Sequence, residues 1–209
     1  MAIFVTGIDT NVGKTIASAI ITEALEADYW KPIQSGDLEH SDSHKIKELL
    51  SNEKTKIHSN AYAFRTPASP HFSAAVENIK INIGQILRPK TENTLVIEGA
   101  GGVLVPLNEQ NLLIDIIQPT DQIIVVSKNY LGSINHTLLT IEALKVRNLS
   151  IAGIIFNGPK NEATEEIILK YSGLNCLGFI EEEPYFDANV VKYYADLFRE
   201  ILIEKLFQV

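Results

Sequence analysis

A ten-residue segment near the start of the chain limits the possible folds more than any other feature. Residues 6–15, Thr-Gly-Ile-Asp-Thr-Asn-Val-Gly-Lys-Thr, continue an apolar run that begins at Ile3 and lead into an apolar-periodic stretch. A glycine-containing turn between a strand and a helix gathers backbone N–H groups at the positive end of the helix, which suits a phosphate. The segment therefore predicts a phosphate-binding loop, although Gly7 and Gly13 are separated by five residues rather than the usual four.

Two residues of this loop carry its expected chemistry. We expect Lys14 to place a positive charge at the β and γ phosphates, and the Thr15 hydroxyl to ligate Mg²⁺. A second signal agrees, because the apolar residues 95–97 end in Glu98 and are followed by Gly99-Ala100-Gly101-Gly102. An acid at the carboxyl end of a neighbouring strand is where a P-loop protein holds its magnesium. Together they predict an ATP-using, magnesium-dependent protein of the P-loop NTPase type.

Short apolar runs alternate with helical patterns along the chain. Several runs are apolar on both faces, which predicts an α/β fold with a doubly wound, mainly parallel sheet and helices on both faces. We expect a single domain over residues 1–209, with ligands at the carboxyl ends of the strands. Residues 52–93 have the weakest pattern, and 61–64 are a candidate edge strand. The predicted strands are 3–6, 29–33, 94–98, 122–127, 152–157 and 176–180, and the predicted helices are 14–27, 42–50, 135–146, 162–172 and 188–206.

Composition excludes several classes of function. The net charge of −8 and the pI of about 5.1 disfavour a nucleic-acid-binding protein, which needs a basic surface. No apolar run approaches the roughly 20 residues of a membrane span, and the first residues lack the basic segment of a signal peptide. Cys176 is the single cysteine, which fits a reducing compartment. We therefore expect a cytoplasmic protein without nucleic-acid or membrane partners.

Five sequence blocks resemble the dethiobiotin synthetases, a family of P-loop enzymes of biotin biosynthesis. The first is the loop at 6–15, and the others follow in family order across residues 6–136. They are Lys31-Pro32-Ile33-Gln34-Ser35-Gly36, Ser69-Pro70-His71, Glu98-Gly99-Ala100-Gly101-Gly102 and Leu131-Gly132-Ser133-Ile134-Asn135-His136. Each block alone is moderately specific, whereas the ordered set is very hard to obtain by chance.

The resemblance implies an ATP-dependent ligase reaction. In it, 7,8-diaminononanoate, CO₂ and ATP give dethiobiotin, ADP and phosphate through a carbamate and a carbamic-phosphoric anhydride. The reaction brings several anions together, so cations must neutralise the developing charge. Lys31 is expected to be the catalytic lysine that holds the carbamate, with Lys14 acting at the transferred phosphate.

The resemblance also implies the ligand contacts. Mg²⁺ is expected to be held by Thr15, Asp42 and Glu98, although Asp42 could instead cap a helix. Asn157 is expected to read the adenine, or else to form a turn before Gly158. The expected ATP contacts are Asn11, Val12, Gly13, Lys14, Thr15, Ile16, Asp42, Glu98, Gly99, Ala100, Gly101, Asn157 and Gly158. The expected substrate contacts are Thr10, Lys31, Ser35, Gly132, Ser133 and Asn135.

A homodimer with a site shared between subunits is a further implication. The segment 130–136 follows the predicted strand 122–127, and in the family the matching loop reaches the carboxylate of the diamine in the partner subunit. The alternative is an ordinary loop in which Ser133 or Asn135 caps the next helix.

The sequence departs from the family pattern near the expected adenine-binding site. The family usually follows its last strand with a Gly-x-Ile-Pro turn, whereas here Gly178-Phe179-Ile180 runs into Glu181-Glu182-Glu183. This acidic insertion leaves the nucleotide preference open.

Two other functions remain possible on the same fold. Partitioning and metallochaperone ATPases carry a second lysine early in the loop, and residues 8–12 contain none. An amide-forming ligase that uses glutamine-derived ammonia would need an additional glutaminase domain, for which 209 residues leave no room. ATP turnover with and without the diamine would separate these readings.

Overall fold

The computed structural model describes residues 1–207, and its centre is a seven-stranded parallel sheet. The strands are β1 (Ala2–Gly7), β2 (Asp28–Trp30), β3 (Ile33–Ser35), β4 (Ile57–His58), β5 (Tyr62–Phe64), β6 (Leu95–Gly102), β7 (Gln122–Lys128), β8 (Ile151–Asn157) and β9 (Cys176–Ile180). The helices are α1 (Lys14–Leu25), α2 (Asp42–Leu49), α3 (Pro70–Val76), α4 (Ser133–Lys145), α5 (Glu162–Ser172) and α6 (Ala188–Phe207). The order across the main sheet is β4-β2-β6-β1-β7-β8-β9.

The sheet is covered on both faces, as the doubly apolar strands predicted. In β8, Ile154 and Phe156 pack with Ile141 of α4 and Ile168 of α5. Ile155, which points to the opposite face, belongs instead to the large cluster that includes residues of α1 and α6. The predicted α/β fold with a doubly wound parallel sheet is therefore confirmed.

Strand order determines where a ligand can bind. The first strand, β1, lies between β6 and β7, and the chain proceeds to β2 and β4 on one side and to β8 and β9 on the other. Connections that diverge from a central strand leave a crevice at its carboxyl end. The loop that follows β1 at Gly7 therefore opens into the crevice.

The prediction of one continuous strand over 29–33 is wrong. Strand β2 ends at Trp30, and the chain leaves the main sheet at Lys31-Pro32, because a proline has no N–H to donate to a sheet. Residues Ile33–Ser35 form a separate two-stranded parallel sheet with β5. The candidate strand at 61–64 thus exists as Tyr62–Phe64, but it pairs in this small sheet.

Other differences lie where the sequence pattern is weak. The edge of the main sheet is the two-residue strand β4, which is too short to show periodicity. Helix α3 was not predicted, and α4 begins at Ser133 rather than at residue 135. None of the helices in the described part of the chain is both long enough and apolar enough to cross a membrane.

Candidate active site

The loop between β1 and α1 has the geometry of a phosphate-binding turn. Gly13 adopts a left-handed φ of 93°, and a Cβ atom there would lie 2.2 Å from the Asn157 amide nitrogen, so only glycine fits. Gly13 is also the N-cap of α1, and within residues 1–207 no side chain caps this helix. The N–H groups at the start of α1 are therefore available to an anion.

Lys14 places a cation at the centre of this loop. Its side chain is buried, and Nζ donates a 2.8 Å hydrogen bond to the Asp9 carbonyl oxygen. Burial lowers the pKa of Lys14 to about 8, although Glu98 nearby acts in the opposite direction. A phosphate group in the loop would favour the charged form of Lys14.

Glu98, in β6, connects the loop with the neighbouring strand β2. Its side chain is 1% exposed, and Oε1 accepts hydrogen bonds of 2.9 Å from both Thr15 Oγ1 and Lys31 Nζ. The second oxygen, Oε2, accepts a 2.8 Å hydrogen bond from the Tyr29 hydroxyl. The carboxylate is thus held by three side chains, one from the start of α1 and two from β2 and the residue after it.

Lys31 lies between two carboxylates. Its buried Nζ donates to Asp42 Oδ2 as well as to Glu98 Oε1. Burial alone would lower the pKa of Lys31, but the charges of Glu98 and Asp42 outweigh burial and raise it. Lys31 is therefore an ammonium ion in this structure.

Asp42 is the first residue of α2 and turns its carboxylate toward the cleft. Ser41 is the N-cap of α2 and accepts from the His44 N–H, so the alternative capping role for Asp42 is wrong. Burial alone would raise the pKa of Asp42, but the nearby Lys31 ammonium outweighs it and lowers the pKa. Asp42 is therefore an anion available to a cation.

Thr15, Asp42 and Glu98 form a donor set that fits Mg²⁺. One hydroxyl and two carboxylates are hard oxygen ligands, and Mg²⁺ in nucleotide enzymes keeps waters and phosphate oxygens beside one or two carboxylates. Within residues 1–207 no group of three or more His, Cys, Asp or Glu side chains is placed to enclose a metal. The arrangement suits a metal that is shared with a nucleotide.

A cleft of about 950 Å³ runs along these residues. Its lining includes most of the predicted site residues, the segment Pro67–Pro70 and Phe186. The predicted site residues in the lining are Thr10, Asn11, Gly13, Lys14, Thr15, Ile16, Lys31, Ser35, Asp42, Glu98, Ala100 and Gly101. Ser35 Oγ is buried without a hydrogen-bond partner among the described residues. The cleft therefore joins the phosphate loop, the carboxylates and the residues expected to contact the substrate.

Other predicted ATP contacts lie outside this cleft lining. Val12 is buried under the loop, and Gly99 packs against Phe4 and Leu113. Asn157 lies at the end of β8, where its Nδ2 donates a 2.9 Å hydrogen bond to the Val12 carbonyl oxygen. The structure thus places Asn157 against the phosphate loop, with Gly158 next to it.

The predicted substrate residues Gly132, Ser133 and Asn135 are also outside the cleft lining of their own chain. Gly132 is the N-cap of α4 with a φ of 101°, so the alternative in which Ser133 or Asn135 caps this helix is wrong. Ser133 Oγ is buried without a partner in the described part of the chain, while the Leu131 side chain is fully exposed. Tyr130 and His136 lie on either side of this loop and are joined by a 2.8 Å hydrogen bond between the Tyr130 hydroxyl and His136 Nδ1.

Sequence analysis missed Tyr29 and Phe186. Tyr29 shares a face with Lys31 because strand residues two apart point to the same side, and a buried tyrosine hydroxyl seeks a partner, so a signal was present.

Phe186 follows the acidic insertion, which is anchored by Tyr194. The Tyr194 hydroxyl accepts from the Glu181 N–H at 3.2 Å and donates to Glu183 Oε1 at 2.7 Å. No local pattern indicates these contacts.

Comparisons with known proteins agree with this geometry. A family described as an AAA domain matches residues 1–190. The ATP-dependent dethiobiotin synthetase BioD of Christiangramia forsetii is 57% identical over 201 residues, covering 96% of this chain and 97% of that protein. The protein of the same name from Cytophaga hutchinsonii is 50% identical, covering 92% of this chain and 94% of that protein.

Solved structures with the same fold are more distant. The septum site-determining protein MinD of Pyrococcus horikoshii, complexed with Mg-ADP, aligns with a TM-score of 0.60 at 13% identity over 100% of both chains. A putative plasmid partition protein from Borrelia burgdorferi, bound to AMPPNP, aligns with a TM-score of 0.58 at 15% identity over 98% of both chains. At such identities the likeness concerns the fold alone.

Proposed function

The chain belongs to the ATP-dependent dethiobiotin synthetases, ligases that form the ureido ring, and from that membership we propose its substrates and the roles of its residues. The substrates are 7,8-diaminononanoate, CO₂ and ATP. The products are dethiobiotin, ADP and phosphate.

The proposed reaction has three steps. One amine of the diamine attacks CO₂ and loses a proton, which gives a carbamate. A carbamate oxygen then attacks the γ-phosphorus, and the bond to ADP breaks to leave a carbamic-phosphoric anhydride. Finally the second amine attacks the carbonyl carbon, phosphate departs, and loss of a proton leaves the cyclic urea. Every step before ring closure keeps anionic oxygens close together.

The position of Lys31 is the observation that carries this proposal. Its ammonium lies within hydrogen-bond distance of Glu98, and both residues line the cleft that also includes the phosphate loop and Ser35. A buried cation there can hold a carbamate oxygen close to a γ-phosphate bound by Lys14. The carboxylates of Glu98 and Asp42 raise the pKa of Lys31, which favours the ammonium form as a hydrogen-bond donor.

The phosphate loop holds the nucleotide in this proposal. The backbone of Asn11, Gly13 and Thr15 would surround the phosphates, and the start of α1 at Lys14 and Ile16 faces the same anion. Thr15, Asp42 and Glu98 would hold Mg²⁺, which neutralises charge on the β and γ phosphates. Ala100 and Gly101 also line the cleft, and a Cβ atom at Gly101 would lie 3.7 Å from Thr10 Oγ1 of the loop.

The diamine is proposed to bind in the same cleft, beside the phosphate loop. Thr10 and Ser35 line this cleft, and the Ser35 hydroxyl has no hydrogen-bond partner among residues 1–207. Gly132, Ser133 and Asn135 lie outside the cleft lining of their own chain, which supports their proposed role in the site of a partner subunit. The Ser133 N–H donates to the Tyr130 carbonyl oxygen, so the next N–H groups of α4, at Ile134 and Asn135, would hold the far carboxylate of the diamine. A twofold dimer would carry two such shared sites.

A Lys31→Met variant tests the proposal, since methionine keeps the apolar stem and removes only the ammonium. We expect ATP and Mg²⁺ to bind, as measured by the rise in melting temperature. The rate of dethiobiotin formation should fall by at least about a hundredfold, because loss of one group that stabilises a developing anion typically lowers a rate by this much. Lys54→Met is the control, because that exposed lysine pairs with Glu26 on the surface, away from the cleft lining.

Dethiobiotin formation at a near wild-type rate by Lys31→Met would contradict the proposed role of Lys31. ATP turnover by the wild type that is indifferent to the diamine would instead favour a switch ATPase of the partitioning type. The two outcomes are separable because the first concerns one variant and the second concerns the unmodified protein.

A further inference from the structure

Glu98 presents its two oxygens to different surroundings. Oε1 faces the hydroxyl of Thr15 and the ammonium of Lys31, both of which line the cleft. Oε2 points into the core and accepts from the Tyr29 hydroxyl at 2.8 Å. Tyr29 is 0% exposed, so this contact is shielded from bulk solvent.

We infer that Tyr29 holds Glu98 as a ligand with a single available oxygen and thereby favours Mg²⁺ over the larger Ca²⁺. This inference rests on the proposed function, in which Glu98 contributes to the magnesium site. It makes Tyr29 a positioning residue, because it acts through Glu98 and touches neither the nucleotide nor the cleft.

The sheet explains why Tyr29 reaches only one oxygen. Strand β2 pairs with β6 in parallel, with Tyr29 opposite Val96 and Trp30 opposite Ile97. Glu98 follows next in β6, so its side chain passes over the end of β2, and the tyrosine ring fills the space beneath it. The hydroxyl is therefore fixed by the packing of two neighbouring strands.

The Tyr29 hydroxyl is buried, and its single O–H is directed at Oε2 of Glu98. A phenol has one proton to donate, so Oε2 is already engaged within the protein before any cation binds at Oε1.

The preference for Mg²⁺ follows from the coordination habits of the two ions. Mg²⁺ requires nearly octahedral geometry at short distances, whereas Ca²⁺ takes six to eight oxygens and accepts carboxylates through both oxygens. For Glu98 to bind through both oxygens, Oε2 would have to leave Tyr29 and turn out of the core. Ca²⁺ therefore loses a coordination mode that Mg²⁺ does not need.

The test is Tyr29→Phe, which removes only the hydroxyl. Mg²⁺ and Ca²⁺ are titrated separately into the protein in the presence of ADP, and binding is measured by calorimetry. We expect the ratio of the Mg²⁺ affinity to the Ca²⁺ affinity to fall about tenfold. In the variant, Ca²⁺ no longer has to break the hydrogen bond between Tyr29 and the charged Glu98, and a bond of this kind has about that effect on affinity.

Thr91→Val is the matched control. The Thr91 hydroxyl donates to Asp28 Oδ2 at 2.8 Å, which is the same kind of bond at the opposite end of β2. This variant should lose a similar amount of stability while the ratio of the two cation affinities stays at the wild-type value. An equal drop in both variants would show that the change reflects general loosening of β2.

Glu98→Gln separates this inference from the proposed function. If Glu98→Gln binds Mg²⁺ as the wild type does, Glu98 is not a ligand and the proposed magnesium site fails. If Glu98→Gln weakens Mg²⁺ while Tyr29→Phe keeps the wild-type ratio, the magnesium site stands and the selective role of Tyr29 is wrong.

If the Tyr29→Phe variant does not fold, a measurement on the wild-type protein tests the inference instead. The infrared carboxylate bands of Glu98, identified by subtracting Glu98→Gln spectra, differ between coordination through one oxygen and through two. We expect the one-oxygen pattern with both Mg²⁺ and Ca²⁺ bound in the presence of ADP. A two-oxygen pattern with Ca²⁺ would overturn the inference.

Discussion

Lys31 and Glu98, which are 67 residues apart in the chain, are joined by a hydrogen bond of 2.9 Å between Nζ and Oε1. They meet because β2 and β6 are neighbouring parallel strands whose carboxyl ends reach the same edge of the sheet. The same bond connects two of the five sequence blocks to each other, and Thr15 connects them to the phosphate loop.

The first prediction concerns Asp42. Asp42→Asn exchanges a charged ligand for a neutral one, so we expect the Mg²⁺ concentration for half-maximal activity to rise about tenfold. Asp37→Asn is the control, because that carboxylate also lines the cleft but is exposed and pairs with Lys45. A magnesium titration that is unchanged in Asp42→Asn would remove Asp42 from the metal site.

The second prediction concerns Asn157 and the base. Since Nδ2 donates to Val12, the Oδ1 atom is the group left to accept from the amino group of adenine. Asn157→Ala should weaken ATP and abolish its preference over GTP. Asn157→Asp should keep that preference while it weakens every nucleotide, because it retains an acceptor and loses the donor to Val12. Calorimetry with ATP and GTP measures both effects.

An unchanged preference for ATP over GTP in Asn157→Ala would contradict base reading by this residue. Asn157 would then support the phosphate loop alone, and the base preference would have to arise elsewhere, for example in the segment that Tyr194 anchors.

The third prediction concerns stability at low pH. Burial opposes ionisation of Glu23, but hydrogen bonds from Ser51 and Asn52 outweigh it and hold the pKa of Glu23 below its ordinary value of 4.5. Its contribution is therefore complete above pH 4.5 and is lost as the pH falls through the lower pKa of the folded state. Glu23→Gln should reduce the free energy of unfolding at pH 7 by about 1–3 kcal/mol and flatten its decline below pH 4.5.

Glu26→Gln provides the comparison for Glu23. Glu26 pairs with Lys54 on the surface, where an ion pair contributes less than about 1 kcal/mol. Urea unfolding at a series of pH values measures both variants. An equal loss of unfolding free energy in the two variants would contradict the account. So would a fall in the unfolding free energy below pH 4.5 that is as steep in Glu23→Gln as in the wild type.

The fourth prediction concerns the shared site. Lys14→Ala disables the phosphate loop, and Gly132→Val strains the start of α4 at its left-handed φ, so each homodimer should be inactive. A mixed dimer has one site with both defects and one with neither. Mixing equal amounts should therefore restore about a quarter of wild-type activity once subunits have exchanged at random. Mixed dimers that are confirmed by mass spectrometry but stay inactive would show that each subunit builds its own site.

The sequence predicted the central part of this molecule because the signals there are local. The loop at 6–15 carries its own turn residues and a helix start at Lys14, and that helix begins where predicted. Strand β9 and helix α5 match their predicted bounds, since both have clear periodicity and polar or glycine residues beside them. Family order then placed Lys31, Asp42 and Glu98 in one site, and the structure brings these three side chains into contact.

The remaining features depend on contacts between distant residues. The chain leaves the main sheet at Pro32 to pair with Tyr62–Phe64, a partner that no local pattern specifies. The spacing of Tyr29 and Lys31 hints at a shared face, but the partner of the Tyr29 hydroxyl, Glu98, lies 69 residues away in the neighbouring strand. Phe186 reaches the cleft because the Tyr194 hydroxyl, eight residues further along, holds the acidic segment in place.

The central claim is tested most directly by following one carbon atom. The wild-type protein is incubated with ATP, Mg²⁺, 7,8-diaminononanoate and ¹³C-bicarbonate, and the products are measured by mass spectrometry and ¹³C NMR. We expect dethiobiotin that carries a single ¹³C at the ureido carbonyl, in equal amount to the ADP and phosphate formed. Unlabelled or absent dethiobiotin while ATP is turned over would contradict the proposed reaction.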